Sequence, residues 1–243
     1  MAATWTINGS LAHATLGDYR LEVNAADPRR GVNWMTATPN SFQGNTLQFV
    51  PPASAKSPPQ LSDLYARGSD LVASYDQLSG AEVQPQLYWR LLEYAPLQAL
   101  GVQLMISMQT SLLHSEPRCT VVSNLEDTRT AVWDSSRLTW NGSEDGPFDL
   151  QLPASSGGHI TWFSAPKEKY SYIEVVYPDD LVSQHVTRGR TESCFFAEHL
   201  EKGVIRRGRI AGWLVPNQLL MAGPVTALQL LDFAKSEPLP LTT

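Results

Sequence analysis

Gly101-Val102-Gln103-Leu104-Met105-Ile106-Ser107-Met108-Gln109-Thr110-Ser111-Leu112-Leu113-His114 is a run in which apolar and polar residues alternate. Val102, Leu104, Ile106, Met108, Thr110 and Leu112 fall on one side of an extended chain. Gln103, Ser107, Gln109 and Ser111 fall on the other, interrupted by Met105 and Leu113. Successive side chains of a strand point to opposite faces, so the run presents one apolar and one polar face. Gln103, Ser107 and Gln109 break every helical stripe at three- and four-residue spacing. The reading is a long antiparallel strand, central in a sheet, with His114 continuing the inward row at its end.

The same rhythm extends outward. Upstream, Gln86 to Tyr94 sets Leu87, Trp89 and Leu91 against Tyr88, Arg90, Leu92 and Tyr94. Apolar residues on both sides predict a strand sandwiched between layers. Downstream, Val204 to Val215 reads as a long final strand stopped by Pro216-Asn217, with Arg207 and Arg209 on one face and Arg206 on the other. A bulge at Gly208 would undo that phase. Asn8-Gly9 marks a hairpin turn, and short strands follow at roughly ten-residue spacing. Leu61 to Ala66 reads as a helical turn, Asn141 to Pro147 as a turn-rich loop, and Leu181 to Thr191 as a loop exposing Arg188-Gly189-Arg190. Glu198-His199 forms a polar strand end. Val225 to Lys235 reads as a terminal helix. Pro51 to Pro59 holds four prolines in nine residues, too many for a central ladder, and reads as an exposed loop. Strand rhythm on both sides of it predicts one all-β domain over residues 1–243, a large antiparallel sandwich with a short C-terminal helix.

A net charge of -6 argues against a general nucleic-acid binder, which needs a basic surface. No apolar window is long enough to cross a bilayer, and the N-terminus lacks the basic segment and apolar run of a signal peptide. Cys119 and Cys194 are too few and too far apart for a metal motif or a disulfide framework and read as buried free thiols. The expectation is a cytoplasmic protein with neither metal nor cofactor. No Ser-His-Asp order, phosphate-binding glycine loop, zinc spacing or calcium loop is present.

Leu87 to Tyr94 (LYWRLLEY) and Leu100 to Met108 (LGVQLMISM) resemble the paired long central strands of galactose-mutarotase-like β-supersandwiches. Leu200 to Ile210 (LEKGVIRRGRI) resembles the Leu-x-x-Gly turn and closing strand of that superfamily. The resemblance implies a supersandwich whose members include sugar epimerases, domains of polysaccharide lyases and glycosidases, and proteins without known activity. In the epimerases a His and a Glu on the concave face do acid/base work on the sugar ring. Their His-x-x-Phe-Asn signature is absent here, since Ser115-Glu116-Pro117 follows His114. The resemblance therefore supports a fold rather than an activity.

Five residues are candidates for ligand binding. His114 suits acid/base chemistry or a sugar hydrogen bond, against the plainer role of a strand-end histidine held by a turn carbonyl. Glu198 supplies a carboxylate only if its strand ends beside His114. Arg207 and Arg209 match a carboxylate or phosphate, as an acidic sugar requires, unless they answer acidic side chains on the next strand. Arg90 points the same way if it clusters with His114, an acidic residue and an exposed tryptophan. The leading expectation is a carbohydrate-interacting protein without efficient catalysis. The alternatives are an epimerase- or lyase-type enzyme using His114 and a carboxylate, and a structural or assembly module in which these side chains are scattered.

Overall fold

In the computed structural model the described residues are 3–36, 44–125, 128–134, 139–143, 149–153, 159–164, 169–177, 181–220 and 225–237. In chain order the strands are β1 (Trp5–Asn8), β2 (Leu11–Leu16), β3 (Tyr19–Asn24), β4 (Val32–Thr36), β5 (Gly44–Val50), β6 (Leu61–Arg67), β7 (Asp70–Tyr75), β8 (Gln84–Tyr94) and β9 (Ala99–Gln109). There follow β10 (Cys119–Leu125), β11 (Arg129–Asp134), β12 (Thr139–Ser143), β13 (Asp149–Pro153), β14 (His159–Ser164), β15 (Tyr170–Val176), β16 (Leu181–Thr187), β17 (Arg190–Phe195) and β18 (Ile205–Pro216). Two helices, α1 (Asn217–Leu220) and α2 (Val225–Ser236), end the described chain.

The strands form two nine-stranded antiparallel sheets. Sheet I has the order β1-β2-β3-β4-β5-β10-β17-β16-β13, and sheet II the order β12-β11-β14-β15-β18-β9-β8-β7-β6. The organising strand β9 lies between β8 and β18, paired along its whole length with β8 and from Leu100 to Gln109 with β18. Its apolar row, Val102, Leu104, Ile106 and Met108, enters a core shared with Leu87 and Trp89 of β8 and with Leu21, Leu47, Phe49 and Val121 of sheet I. Burying each such side chain contributes about 1.5–3 kcal/mol. Cross-sheet hydrogen bonds add direction: Trp5 Nε1 donates to the Trp89 carbonyl at 3.1 Å, and Tyr75 Oη to the Ala25 carbonyl at 2.8 Å.

The polar row of β9 is buried as well, with Gln103 and Ser107 only 4% and 6% exposed. The reason is α2. Leu230, Leu231 and Ala234 pack onto the outer face of sheet II, against Leu92, Ile173, Val175, Ala211, Trp213 and Val215. Gly101 permits this arrangement, because a Cβ there would lie 2.5 Å from Cε3 of the Trp213 ring. Trp213 in turn meets Phe233 of α2 edge-on, 5.8 Å between ring centroids.

Between the sheets one carboxylate is fully buried. Glu174 accepts hydrogen bonds from Thr191 Oγ1 at 2.6 Å, Ser123 Oγ at 2.5 Å and Tyr172 Oη at 3.5 Å. Ser123 Oγ accepts the Leu47 amide at 3.0 Å, so its proton is directed at Glu174. Burial raises the pKa of this carboxyl, opposed by those hydrogen bonds. Gly212, paired with Glu174 across β15 and β18, leaves the space that the Tyr172 hydroxyl fills.

Several local expectations change. Leu61 to Ala66 is strand rather than helical turn, laid as an edge against β7. Leu181 to Thr191 is a hairpin: β16 and β17 pair around a turn at Arg188-Gly189, and Gly189 adopts φ +71°. Asn141-Gly142-Ser143 belongs to β12. The pairing of β18 with β9 runs without a shift from Ile205 to Leu214, so Gly208 causes no bulge and Arg207 and Arg209 share a face. Cys119 is buried and Cys194 half-buried, both free. Cys194 pairs with Thr120, the neighbour of Cys119, so the thiols point to opposite faces of sheet I.

Candidate functional site

Sheet II brings three of the five candidate residues to its outer face. Arg90 of β8 lies opposite Gln103 of β9, and Arg209 and Arg207 of β18 lie opposite Met105 and Ser107. Antiparallel pairing without shifts keeps all of these side chains on one side. Around them stand Asp70, Tyr88 and Tyr177, residues that parity alone did not single out.

Arg90 is fixed first. Its Nε and Nη2 donate to the two carboxylate oxygens of Asp70 at 2.6 and 2.9 Å, a bidentate fork from the neighbouring strand. The hydrogen bond to Asp70 holds the guanidinium charged despite partial burial, with smaller contributions from Glu237 and Tyr177. Glu237, just beyond α2, places Oε2 3.8 Å from Arg90 Nη1. Gln103 Nε2 donates to the Tyr177 hydroxyl at 2.8 Å, and the Arg209 guanidinium lies 4.0 Å from the centre of the Tyr177 ring. The cation on that ring gains by about 0.5–2 kcal/mol, depending on desolvation.

Next to this cluster the face becomes a hydroxyl and amide surface. The Tyr88 hydroxyl donates to Gln86 Oε1, and Gln86 Nε2 donates to Ser74 Oγ at 2.9 Å. Gln109 Nε2 donates to Gln84 Oε1 at 2.8 Å. Ser74, Gln84, Gln86, Ser107, Gln109 and Ile205 line a recess of about 300 Å³. Burial raises the pKa of Tyr88, as does Tyr65, while Arg207 draws it down, so the phenol remains a donor at neutral pH. Such a surface can align hydroxyl groups of a ligand and meet a negative charge. Proton transfer is another matter: both oxygens of Asp70 are engaged with Arg90, and none of the described histidines shares this face.

His114 and Glu198 lie elsewhere, at one end of the sandwich. The expectation that His114 continues the inward row fails, because β9 stops at Gln109. Thr110 ends it: its hydroxyl donates to the Glu82 carbonyl at 2.7 Å and accepts the Leu112 amide at 3.2 Å. Leu112 and Leu113 are exposed, and the His114 ring rests on His199, with centroids 3.8 Å apart. A two-residue bridge between Ser115 and Leu200 holds these loops together. Glu198 and His199 lie in this loop and not on a strand, and Glu198 pairs with Arg206. Phe196, Glu198, His199, Glu116 and Arg118 line an end cavity of about 450 Å³. Phe196 holds φ +65°, a left-handed conformation that costs a non-glycine residue about 1–3 kcal/mol. A smaller recess, about 240 Å³, joins Glu198 and Arg206 to Arg207.

Among the described tryptophans Trp89 and Trp213 are fully buried and Trp162 is half-buried against the core beneath α2, while the Trp140 side chain lies outside the described residues. Tyr65, on the edge strand β6, is the ring most open to solvent on this face, at 37% exposure. Among the described residues no group of three or more His, Cys, Asp or Glu side chains is placed to hold a metal ion, and no helix is long and apolar enough to cross a membrane. The acidic pairs Glu126-Asp127 and Asp179-Asp180 lie outside the described residues.

Neither a protein-family model nor a curated protein matches the chain. Among solved structures it resembles a Klebsiella pneumoniae protein described as a candidate aldose 1-epimerase. The TM-score is 0.53 and the identity 9%, over 98% of this chain and 90% of the other. A looser likeness, with a TM-score of 0.34 and 8% identity, is to a GH36 α-galactosidase from Geobacillus stearothermophilus solved with raffinose, over 87% of this chain and 40% of that one. At such identities the likeness concerns the fold. The chain has the galactose-mutarotase-like fold that its paired long strands suggested.

Proposed function

We propose that the protein binds a carbohydrate on the outer face of sheet II and does not efficiently transform it. The observation that supports this most directly is the recess walled by Ser74, Gln84, Gln86, Ser107 and Gln109, set beside three guanidiniums. Amides and hydroxyls pair with the vicinal hydroxyls of a sugar, and Arg207 and Arg209 suit the carboxylate or phosphate of an acidic one. Interconverting anomers needs one group to take the anomeric proton and another to protonate the ring oxygen, both within reach of one sugar. Asp70 is committed to Arg90, and His114 and Glu198 lie at the end of the sandwich, each against another partner.

Isothermal titration with acidic and neutral sugars tests the binding. Arg207→Ala is expected to abolish binding of acidic sugars with little loss of stability; lost stability without a binding phenotype makes the arginine structural. Polarimetry with freshly dissolved glucose and galactose tests the catalytic half. The expected rate is that of buffer. Acceleration lost in both His114→Ala and Glu198→Gln would replace this reading with the epimerase one, acting from the end cavity.

A further inference from the structure

Among the described residues each sheet ends in two strands that are paired on one side only, and these four edges are not alike. β1 has four residues and β12 and β13 have five, whereas β6 runs for seven at the end of sheet II. Its ladder with β7 is regular from Asp63 to Arg67, and of these residues all but Leu64 are exposed. In an antiparallel ladder the backbone groups of successive residues turn to alternate sides. The Leu64 amide donates to Asp63 Oδ1 at 2.9 Å rather than to β7, so Leu64 and Ala66 turn their N–H and C=O groups to the open side. The side chains of Asp63, Tyr65 and Arg67 stand on the outer face, opposite Ser74, Val72 and Asp70. Both oxygens of that Asp70 already serve Arg90.

We infer that β6 pairs antiparallel with β6 of a second copy of this chain, about a two-fold axis at Tyr65, so that sheet II continues from one protein into the next. In that register the strand is complementary to itself. Leu64 N–H meets the Ala66 carbonyl of the second copy, Ala66 N–H meets its Leu64 carbonyl, and the axis repeats both bonds. On the outer face Asp63 stands opposite Arg67 of the second copy, Arg67 opposite its Asp63, and the two Tyr65 rings meet at the centre. Opposite charges and aromatic rings at facing positions stabilise an antiparallel pair, and like charges destabilise it. Moving the axis two residues either way sets Asp63 against Asp63 or Arg67 against Arg67, which opposes those registers. Charges on an edge strand ordinarily keep other chains away. Here their signs and spacing admit one partner strand, the copy. In the single protein Asp63 closes the Leu64 amide, and pairing exchanges that contact for Arg67 of the second copy. The axis is perpendicular to the sheet, so the two outer faces lie on the same side and form one surface. The inference does not depend on what that surface binds.

The test is sedimentation equilibrium of the full-length protein over a range of concentrations, with Asp63→Arg, Arg67→Asp, the double exchange and Ala66→Pro. The wild type is expected to dimerise reversibly. Either single reversal sets like charges face to face at both ends of the strand pair and should weaken the dimer about ten-fold, while the double exchange restores it to within about three-fold. Ala66→Pro removes an N–H that faces away from β7, so β6 keeps its place in the sheet and the dimer is lost. Hydrogen exchange reads the same contact without any substitution: the Leu64 and Ala66 amides should exchange more slowly in concentrated than in dilute wild-type protein. A wild-type monomer at every concentration overturns the inference, even if β6 takes up an extended segment of a different protein. A dimer indifferent to both single reversals places the interface elsewhere and overturns it too. So does a dimer that the double exchange fails to restore, or equal exchange of the two amides at both concentrations.

Discussion

Gly101→Ala tests how the helix is held on the sheet. The new Cβ would lie 2.5 Å from Cε3 and 2.8 Å from Cδ2 of Trp213, far inside ordinary contact. The ring cannot move away freely, because Trp213 is fully buried and meets Phe233 of α2 at its edge. Inserting a methyl into a packed interior costs about 1–3 kcal/mol. Separating the Trp213–Phe233 pair removes a further contribution of about 0.5–1.5 kcal/mol. Against this, alanine in a strand gains about 0.5–1 kcal/mol over glycine. The net expectation is a loss of about 2 kcal/mol, which for a chain of this size lowers Tm by about 4–8 °C. Urea denaturation followed by tryptophan fluorescence measures the first number and calorimetry the second. A companion Trp213→Leu change, which removes the ring that the methyl strikes, should make the Gly101→Ala penalty much smaller. A Gly101→Ala protein as stable as the wild type, or an equal penalty in both backgrounds, refutes the reasoning.

Two further outcomes are expected. Because burial raises the Glu174 pKa, the folded state binds this proton at pH values where the unfolded chain has released it. Stability from this group is therefore complete below the ordinary glutamate range and falls as pH rises through the raised value; Glu174→Gln should flatten that part of the urea-midpoint profile, and an unchanged profile would assign the slope to other groups. Residues 1–243 are expected to unfold as one unit, because each sheet combines strands from early and late in the chain; separate thermal transitions for fragments cut near residue 55 would contradict this, as would a helix-dominated far-UV circular dichroism spectrum.

The long strands were legible because their signal is local. Alternation in residues 86–94, 101–109 and 204–215 needs only a period of two, and with no shift at Gly208 it fixes the shared face of Arg207 and Arg209. The reading failed where a side chain overrode the pattern. Thr110 ends β9 by bonding Glu82 and Leu112, so the parity that assigned His114 inward ran past the end of the strand. In β16 the buried position at Gln184 is polar and donates to Ser193 between the sheets, which made a true strand resemble a loop. The site residues missing from the sequence reading share one feature: they meet across register or across the fold. Asp70 faces Arg90 only because β7 and β8 pair in one particular register, and no periodicity reveals that. Glu237 joins them from the far end of the chain, where local composition reads as a loose tail.

The placement of β9 between β8 and β18 also dictates an order of events at the ribosome. Its first neighbour emerges just ahead of it, but β18 follows about a hundred residues later, a wait of roughly five to twenty seconds at ordinary synthesis rates. Throughout that interval the most apolar strand of sheet II presents an unpaired edge, a template for pairing with another chain. Release of the nascent chain before Ile205 would leave β9 and β15 both open, since each takes β18 as its neighbour. The last long strand is thus the one whose arrival ends the period of greatest risk, and premature termination anywhere before it should yield aggregates rather than a smaller folded protein.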